Sequence, residues 1–241
     1  MTKLSGAAAD ARLVKSWERI LSQDSATQEI IHVLARPTEY PAWISGFPPF
    51  EAWVRNGYQA NETVWHTFAE IAIPWPYIHS ARRATALGIP NTRIFVLKRT
   101  QWEAAPSWLT YLAEVHLPAI AALAGETLYR VWLEDCRSSG LQDRDYDVNL
   151  FGADGVMLAG YHHGDVNWRV FLADDCNPDL SGKERDFIHS MRDFAVARGE
   201  LVKLPPELHP GLRSGDLKLP GLNLPLISPW RGRQPGRAAD R

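Results

Sequence analysis

The chain has little cysteine and no long apolar run. Only two of its 241 residues are cysteine, Cys136 and Cys176, and two thiols alone do not make a zinc site. A disulfide between them is not expected in a reducing compartment. The longest apolar run, residues 117–125, is too short to span a bilayer, and the first residues lack the apolar stretch of a secretory signal. We therefore expect a soluble, cytoplasmic protein that has no membrane partner.

An excess of one charge sign is also lacking. The formal net charge is -2, so the whole chain has no electrostatic preference for nucleic acid or an anionic membrane. The basic end of the chain, with Arg231, Arg233 and Arg237, could touch nucleic acid, but a solvated end is the simpler interpretation.

Several common catalytic motifs are missing as well. No Gly-x-Ser-x-Gly, Gly-x-Gly-x-x-Gly or His-Glu-x-x-His sequence occurs. Gly182-Lys183 is followed by Glu and lacks the earlier glycine of a phosphate-binding loop. These absences weigh against standard nucleotide-binding, serine-hydrolase and zinc-protease functions, and the sequence predicts no particular cofactor.

Periodicity and composition predict an α/β fold, with a mixed sheet flanked by helices. The N-terminal region includes a predicted helix over 7–35, with a start signal at Ser25-x-x-Gln28. We predict three regions in chain order: a helical N-terminal region over 1–76, an α/β domain over 77–203 and an irregular tail rich in Pro, Gly and Leu over 204–241.

Within the central region, turn signals and apolar periodicity place the elements. Gly88 and Gly125 are expected to end the two helices that precede them, because glycine readily takes the left-handed conformation. The predicted helices cover 77–87, 108–124 and 183–197, and the predicted strands cover 93–99, 128–134, 146–151, 156–162 and 166–172, with hairpins joining the last three strands.

Two of these strands have nearly the same sequence. Residues 129–135 and 168–174 each read aromatic, Arg, apolar, aromatic, Leu and then a final Asp. If the two strands occupy equivalent positions, Arg130 and Arg169 could bind one anion, since guanidinium groups bind phosphate or carboxylate bidentately. Trp132 or Trp168 would then provide a stacking surface. Alternatively, each arginine pairs with a nearby carboxylate such as Glu134 or Asp145.

Residues between these strands could supply acid–base chemistry. We predict His163 as a general base and Asp165 as the carboxylate that orients it, because an imidazole with its usual pKa moves protons at neutral pH. Turn histidines are often exposed and without a role, which remains an alternative. A metal site formed by His162, His163, Asp165 and an aspartate of 143–147 is conceivable, but the spacing is not diagnostic, and no metal is predicted.

Residues 81–175 resemble a bacterial family of unknown function whose fold is similar to one half of a phospholipase D-like domain. The matching features are Arg82-Arg83-Ala84-Thr85-Ala86-Leu87-Gly88 before the strand at 94–97, Tyr111-Leu112 with Glu114, Ala124-Gly125-Glu126 leading to Arg130, Leu150-Phe151, and Val156-Met157 with Tyr161. The resemblance implies a phospholipase D-like half-domain.

The chemistry of active phospholipase D-type enzymes does not follow from this resemblance. Those enzymes use a His-x-Lys motif, and no histidine of this chain is followed two residues later by lysine. The leading hypothesis is a transferase or hydrolase that acts on a phosphate-containing or other anionic substrate in a pocket at the sheet edge. The rival hypothesis is a non-catalytic regulatory or protein-interaction module. Its partner would be another protein, and a homodimer is an alternative.

Overall fold

The computed structural model describes residues 17–22, 28–34, 44, 46–104, 107–141, 147–152, 155–162, 165–172 and 178–205. These residues form a mixed α/β fold built on one sheet. Its seven strands are β1 (Ile30–Leu34), β2 (Asn91–Leu97), β3 (Thr127–Trp132), β4 (Asp147–Phe151), β5 (Gly155–His162), β6 (Asp165–Leu172) and β7 (Glu200–Leu201).

The sheet combines a parallel half with an antiparallel half. Its strand order is β6-β5-β4-β1-β2-β3-β7. Strands β1, β2 and β3 are parallel neighbours, whereas β4, β5 and β6 follow one another as antiparallel neighbours, and β7 pairs antiparallel with β3. The carboxyl ends of β1, β2 and β3 therefore lie at one common edge of the sheet.

Helices cover both faces of the sheet, because strand residues that point to either face are buried. The helices are α1 (Pro48–Arg55), α2 (Glu62–Ala72), α3 (Pro76–Ala86), α4 (Arg99–Glu103), α5 (Ser107–Tyr111), a π-helical turn (Leu112–His116), α6 (Leu117–Ala124), α7 (Leu133–Ser138) and α8 (Pro178–Arg198), and residues 17–22 are also helical.

The register defines two faces that differ in chemistry. One face carries Ile31, Ile94 and Val148, and α8 packs on it through Ile188 and Met191. The opposite face carries His32, which is level with Arg93 on β2 and Asn149 on β4. We call this opposite face the polar face. Its covering helices α2, α3 and α6 share a core cluster with β1 and β4.

The predicted helix over 7–35 is wrong in its last part. Residues Ile30–Leu34 form β1, which pairs with β2 on one side and β4 on the other. A short apolar run fits either element, but β-branched residues at three of these five positions favour a strand buried on both faces. The sheet thus draws strands from both sides of the predicted boundary at 76–77.

Most of the predicted elements in the central region are confirmed. The helix before Gly88 spans Pro76–Ala86, and the strands near 128–134, 146–151, 156–162 and 166–172 appear as β3, β4, β5 and β6. Gly125 ends α6 with φ 72°, and an added Cβ would lie 3.0 Å from the Thr85 side chain. In the part of the chain that the structure describes, no helix is long and apolar enough to cross a membrane.

Candidate functional site

The structure places the predicted site residues on two different strands. Arg130 and Trp132 lie on β3, whereas positions 165, 168 and 169 belong to β6. His163 lies outside the described residues. Its predicted role as a general base, oriented by Asp165, stays a prediction.

The expected convergence of Arg130 and Arg169 on one anion is wrong. Four strands separate β3 from β6, so five spacings of about 4.8 Å put the two strands roughly 24 Å apart. The register adds a second obstacle, because position 130 lies on the polar face and position 169 on the face that α8 covers. The similar sequences therefore reflect two separate strands with similar alternation.

At the carboxyl ends of β2 and β3, four side chains form what we call the arginine–tryptophan ladder: Arg99, Trp132, Trp102 and Arg130. The Arg99 guanidinium lies 4.9 Å from the centre of the Trp132 ring, and that of Arg130 lies 5.1 Å from the centre of the Trp102 ring. The two indole rings meet edge to face at 6.5 Å. Alternating guanidinium groups and rings thus form one continuous contact.

Carboxylates hold the Arg99 end of the ladder in place. Arg99 donates from Nη2 to Asp135 Oδ2 at 2.6 Å, and its backbone N–H donates to the Glu134 carboxylate at 3.2 Å. About half of each of the Arg99 and Asp135 side chains is exposed. This ion pair is therefore close to water, which limits its contribution to stability.

Arg130 is more buried but less completely paired. Its nearest carboxylate is Glu200 on β7, with Nη1 3.7 Å from Oε2, which is an ion-pair distance rather than a hydrogen bond. Within the described part of the chain, the buried Nε of Arg130 has no hydrogen-bond partner. Arg130 thus pairs with a nearby carboxylate, as one interpretation of the sequence expects, but that carboxylate is Glu200. Glu134 instead binds the backbone N–H of Arg99, and Asp145 lies outside the described residues.

A second cluster, the buried network, lies deeper on the polar face. Its members come from five places in the fold: His32 on β1, Tyr77 on α3, Arg93 on β2, Glu126 just before β3, and Asn149 on β4. The strand register brings His32 level with Arg93 and with Asn149. All but Tyr77 are buried residues, and Tyr77 is partly buried.

Arg93 and Glu126 form the centre of the buried network. Arg93 donates from Nε to Glu126 Oε2 at 2.5 Å and from Nη2 to Glu126 Oε1 at 3.0 Å, which is a bidentate pair. The Tyr77 hydroxyl donates to the Glu126 carboxylate and accepts from Arg93 Nη2. His32 connects this centre to β4, since its Nδ1 lies 2.7 Å from Asn149 Oδ1 and its Nε2 lies 3.2 Å from the Tyr77 hydroxyl.

Burial and the neighbouring charges decide the protonation states of the network. Burial, followed by the charge of Arg93, lowers the pKa of His32 to about 4, so this imidazole is neutral at pH 7. Burial raises the pKa of Tyr77 well above its usual value. Burial would raise the pKa of Glu126, but Arg93 outweighs it and lowers that pKa. The network is therefore one ion pair surrounded by neutral groups.

A π-helical turn brings another histidine close to this network. The turn interrupts the long helical stretch 107–124 and places His116 among the rings of Phe47, Phe68 and Tyr111. Burial, followed by the charge of Arg93, lowers the pKa of His116 to about 3. His116 is thus a second buried imidazole that is neutral at pH 7, mainly because of its burial.

Sequence reasoning missed the buried network, although a signal for it exists. Each of β1, β2 and β4 combines apolar residues with at least one polar residue, and His32, Arg93 and Asn149 are among these polar residues. Buried polar groups must find partners, so three such residues on neighbouring strands indicate a shared cluster. What the sequence could not give was the strand order that makes β1 the central member.

Among the described residues, no three metal-ligating side chains lie close enough together to hold a metal ion. No family model, no curated protein and no solved structure matches this chain.

Proposed function

We propose that this chain is a non-catalytic protein-interaction module that binds an acidic segment of a partner protein through the arginine–tryptophan ladder. The observation that carries the proposal is the continuous contact of Arg99, Trp132, Trp102 and Arg130 at the carboxyl ends of two parallel strands. Ligands of open α/β sheets commonly bind at the carboxyl ends of the strands.

The residue types of the ladder suit protein recognition. Tryptophan and arginine dominate the residues that contribute most binding energy at protein interfaces. Because Arg99 and Arg130 already rest on Trp132 and Trp102, little side-chain freedom is left to lose on binding. A partner would therefore meet a surface that is already ordered.

The carboxylates around the ladder support an acidic partner. Asp135 and Glu200, which face Arg99 and Arg130, are each about half exposed. An ion pair this close to water contributes at most about 1 kcal/mol, so a partner carboxylate can replace the internal one at little cost.

A phosphate-containing substrate is the second candidate ligand, and the incomplete pairing of Arg130 is the observation that favours it. Its planar guanidinium suits phosphate as well as carboxylate, and Trp132 could stack on an aromatic group. Relation to a phospholipase D-like half-domain also stays a proposal, supported by the mixed sheet with helices on both faces. Asp165 begins β6, which is separated by four strands from β3 and the ladder, whereas the predicted general base His163 is outside the described residues.

A binding titration distinguishes the two ligands. The protein is titrated with a synthetic peptide of alternating Glu and Leu, with inorganic phosphate and with ATP, and tryptophan fluorescence and the melting temperature are recorded. We expect the peptide to bind. Arg130→Lys, which keeps the charge but loses the planar group, should weaken its binding about tenfold or more.

Arg55→Ala provides the matched control, since Arg55 is an exposed arginine on α1 that pairs only with Glu51 among the described residues. This variant should bind the peptide as the wild type does. Binding of phosphate or ATP without the peptide would favour the enzyme hypothesis. Equal peptide binding by wild type and Arg130→Lys would contradict the ladder as the binding surface.

A further inference from the structure

The two edges of the sheet are unequal. At one edge β7 contributes only Glu200–Leu201, whereas at the other edge β6 runs for eight residues, Asp165–Leu172. Within the described residues, β6 pairs with β5 on one side and has no strand on the other. Backbone groups along the outer side of β6 thus lack a strand partner in the described fold.

Edge strands of this length usually carry protection against pairing. Natural proteins place Pro, Lys, bulges or inward charges there, or keep the strand short. The sequence of β6, DVNWRVFL, contains no Pro, Gly or Lys and pairs with β5 without a register break from Asp165 to Leu172. β6 carries charges at positions 165 and 169, on the face that α8 covers, but these charges are of opposite sign and can pair between two copies of the strand. This edge is therefore suited to adding a second copy of itself.

We propose that β6 is the dimer interface of this protein, where it pairs antiparallel with β6 of a second copy about a two-fold axis through position 167. In this register, position 165 of each copy lies opposite position 169 of the other. Positions 166 and 168 are likewise opposite each other. The two sheets then form one continuous sheet through both copies.

Charge complementarity favours this register and a second copy of the chain as the partner of β6. In an antiparallel pair, residues directly opposite each other point to the same face of the sheet. A two-fold axis perpendicular to the sheet must therefore pass between a residue and the same residue of the second copy. An axis through 167 pairs Asp165 with Arg169 twice, and opposite charges across strands are favourable. An axis through 169 would place Arg169 opposite itself, and one through 168 would place Asp165 opposite Phe171.

The sequence also favours this register on the other face. There it places Val166 opposite Trp168 in both directions, and pairs of β-branched with aromatic residues stabilise antiparallel strands. Asn167 meets its own copy at the axis. A segment whose charges and apolar residues complement themselves in this way fits a second copy better than an unrelated strand.

A charge-swap experiment tests the interface. Sedimentation velocity over a range of concentrations should show a dimer for the wild type. Asp165→Arg and Arg169→Asp should each raise the dimer dissociation constant at least tenfold, since each places like charges opposite one another. The double variant restores opposite charges and should recover the dimer. Arg55→Asp, an exposed change on α1, should leave the dimer intact.

Cysteine cross-linking tests the register independently of these variants. In a Cys176→Ser background, Asn167→Cys should form a disulfide-linked dimer on mild oxidation, because position 167 faces its own copy. Val170→Cys should not, since the two copies of position 170 are then roughly 20 Å apart along the strands. A wild type that stays monomeric at every concentration, a double variant that fails to recover the dimer, or cross-linking at 170 rather than 167 would overturn the proposal.

Discussion

Arg93 and Arg130 lie on neighbouring strands and on the same face of the sheet, yet their surroundings differ. Each guanidinium rests on an aromatic ring, at 5.5 Å from the Tyr77 centre for Arg93 and 5.1 Å from the Trp102 centre for Arg130. Arg93 makes two hydrogen bonds to a carboxylate with no exposed surface. Arg130 has a carboxylate 3.7 Å away whose side chain is 57% exposed.

The difference separates a structural arginine from one available for binding. The partners of Arg93 come from α3 and from the segment before β3, so its pairing ties several elements together. Among the described residues, Arg130 is paired only with Glu200 of β7, and its buried Nε has no hydrogen-bond partner. A fully paired buried ion cannot exchange its partner without unfolding, whereas Arg130 can exchange Glu200 for another carboxylate, because Glu200 is more than half exposed and lies at ion-pair distance only.

The largest predicted effect is the loss of one member of the central ion pair. Glu126→Ala leaves the Arg93 guanidinium buried without a carboxylate, which we expect to lower the free energy of unfolding by about 3–5 kcal/mol. Urea denaturation measures this change. Arg130→Ala should lower it by less than Glu126→Ala does, because Glu200 is more than half exposed and the change mainly removes the packing of Arg130 on Trp102.

A double variant checks the reason for that loss. Arg93→Met with Glu126→Leu removes both charges, and we expect it to be more stable than Glu126→Ala alone, since no buried charge is left unpaired. If the double variant is as unstable as the single one, the stability comes from packing at these positions and not from charge pairing.

Acid should destabilise the protein over a defined range. The folded-state pKa of His32 is about 4, below the usual value of 6.5, so the unfolded state binds more protons between these two values. The contribution of neutral His32 is complete above pH 6.5 and is lost as the pH falls towards 4. His116, with a folded pKa of about 3, acts in the same direction.

Melting temperature as a function of pH measures this effect. We expect the wild-type value to fall steadily below pH 6.5, and His32→Gln should fall less steeply because it no longer titrates. His66→Gln is the matched control, since His66 is a half-exposed histidine on α2 beside Glu62. The same slope in all three proteins would show that buried His32 does not govern the acid response.

A smaller loss is expected from Tyr77→Phe. This change removes the hydroxyl that contacts Glu126, Arg93 and His32, but it leaves the bidentate ion pair. We expect the free energy of unfolding to fall by about 1–3 kcal/mol. Tyr58→Phe should change it little, because the Tyr58 side chain is exposed. Equal effects of the two substitutions would contradict the role of the hydroxyl.

The sequence predicted much of the local structure and little of the site. Helix ends at Gly88 and Gly125 and the hairpin strands β4, β5 and β6 follow from turn residues and alternation, which are local properties. The helix prediction failed at β1 because a run of four apolar residues and one histidine is too short to carry a period of its own. Its central position depends on pairing with strands that lie far away in the sequence.

The candidate site shows the same limit. Alternation correctly placed Arg130 and Trp132 on one face, since the residues are two apart on β3. It could not show that Trp102 of α4 contacts Arg130, or that Arg99 contacts Trp132, because helix packing brings these residues together. Pairing of 130 with 169 failed for a similar reason, since sequence similarity carries no information about strand order.

The smallest predicted effect on stability belongs to Asp135→Asn, which removes the carboxylate partner of Arg99. The pair is about half exposed, so the free energy of unfolding should change by about 1 kcal/mol or less. Thermal melts measure this change. A loss of several kcal/mol would show that the ladder is part of the structural framework and not a surface available to a partner.

The affinity of Asp135→Asn for the acidic peptide is the most direct test of the binding surface. Asp135 competes with the peptide for Arg99, so removing its charge should tighten binding by up to about fivefold, whereas Arg99→Ala should weaken it. Isothermal titration calorimetry measures both. Unchanged or weaker binding by Asp135→Asn would contradict the proposal that the ladder exchanges its own carboxylates for those of a partner.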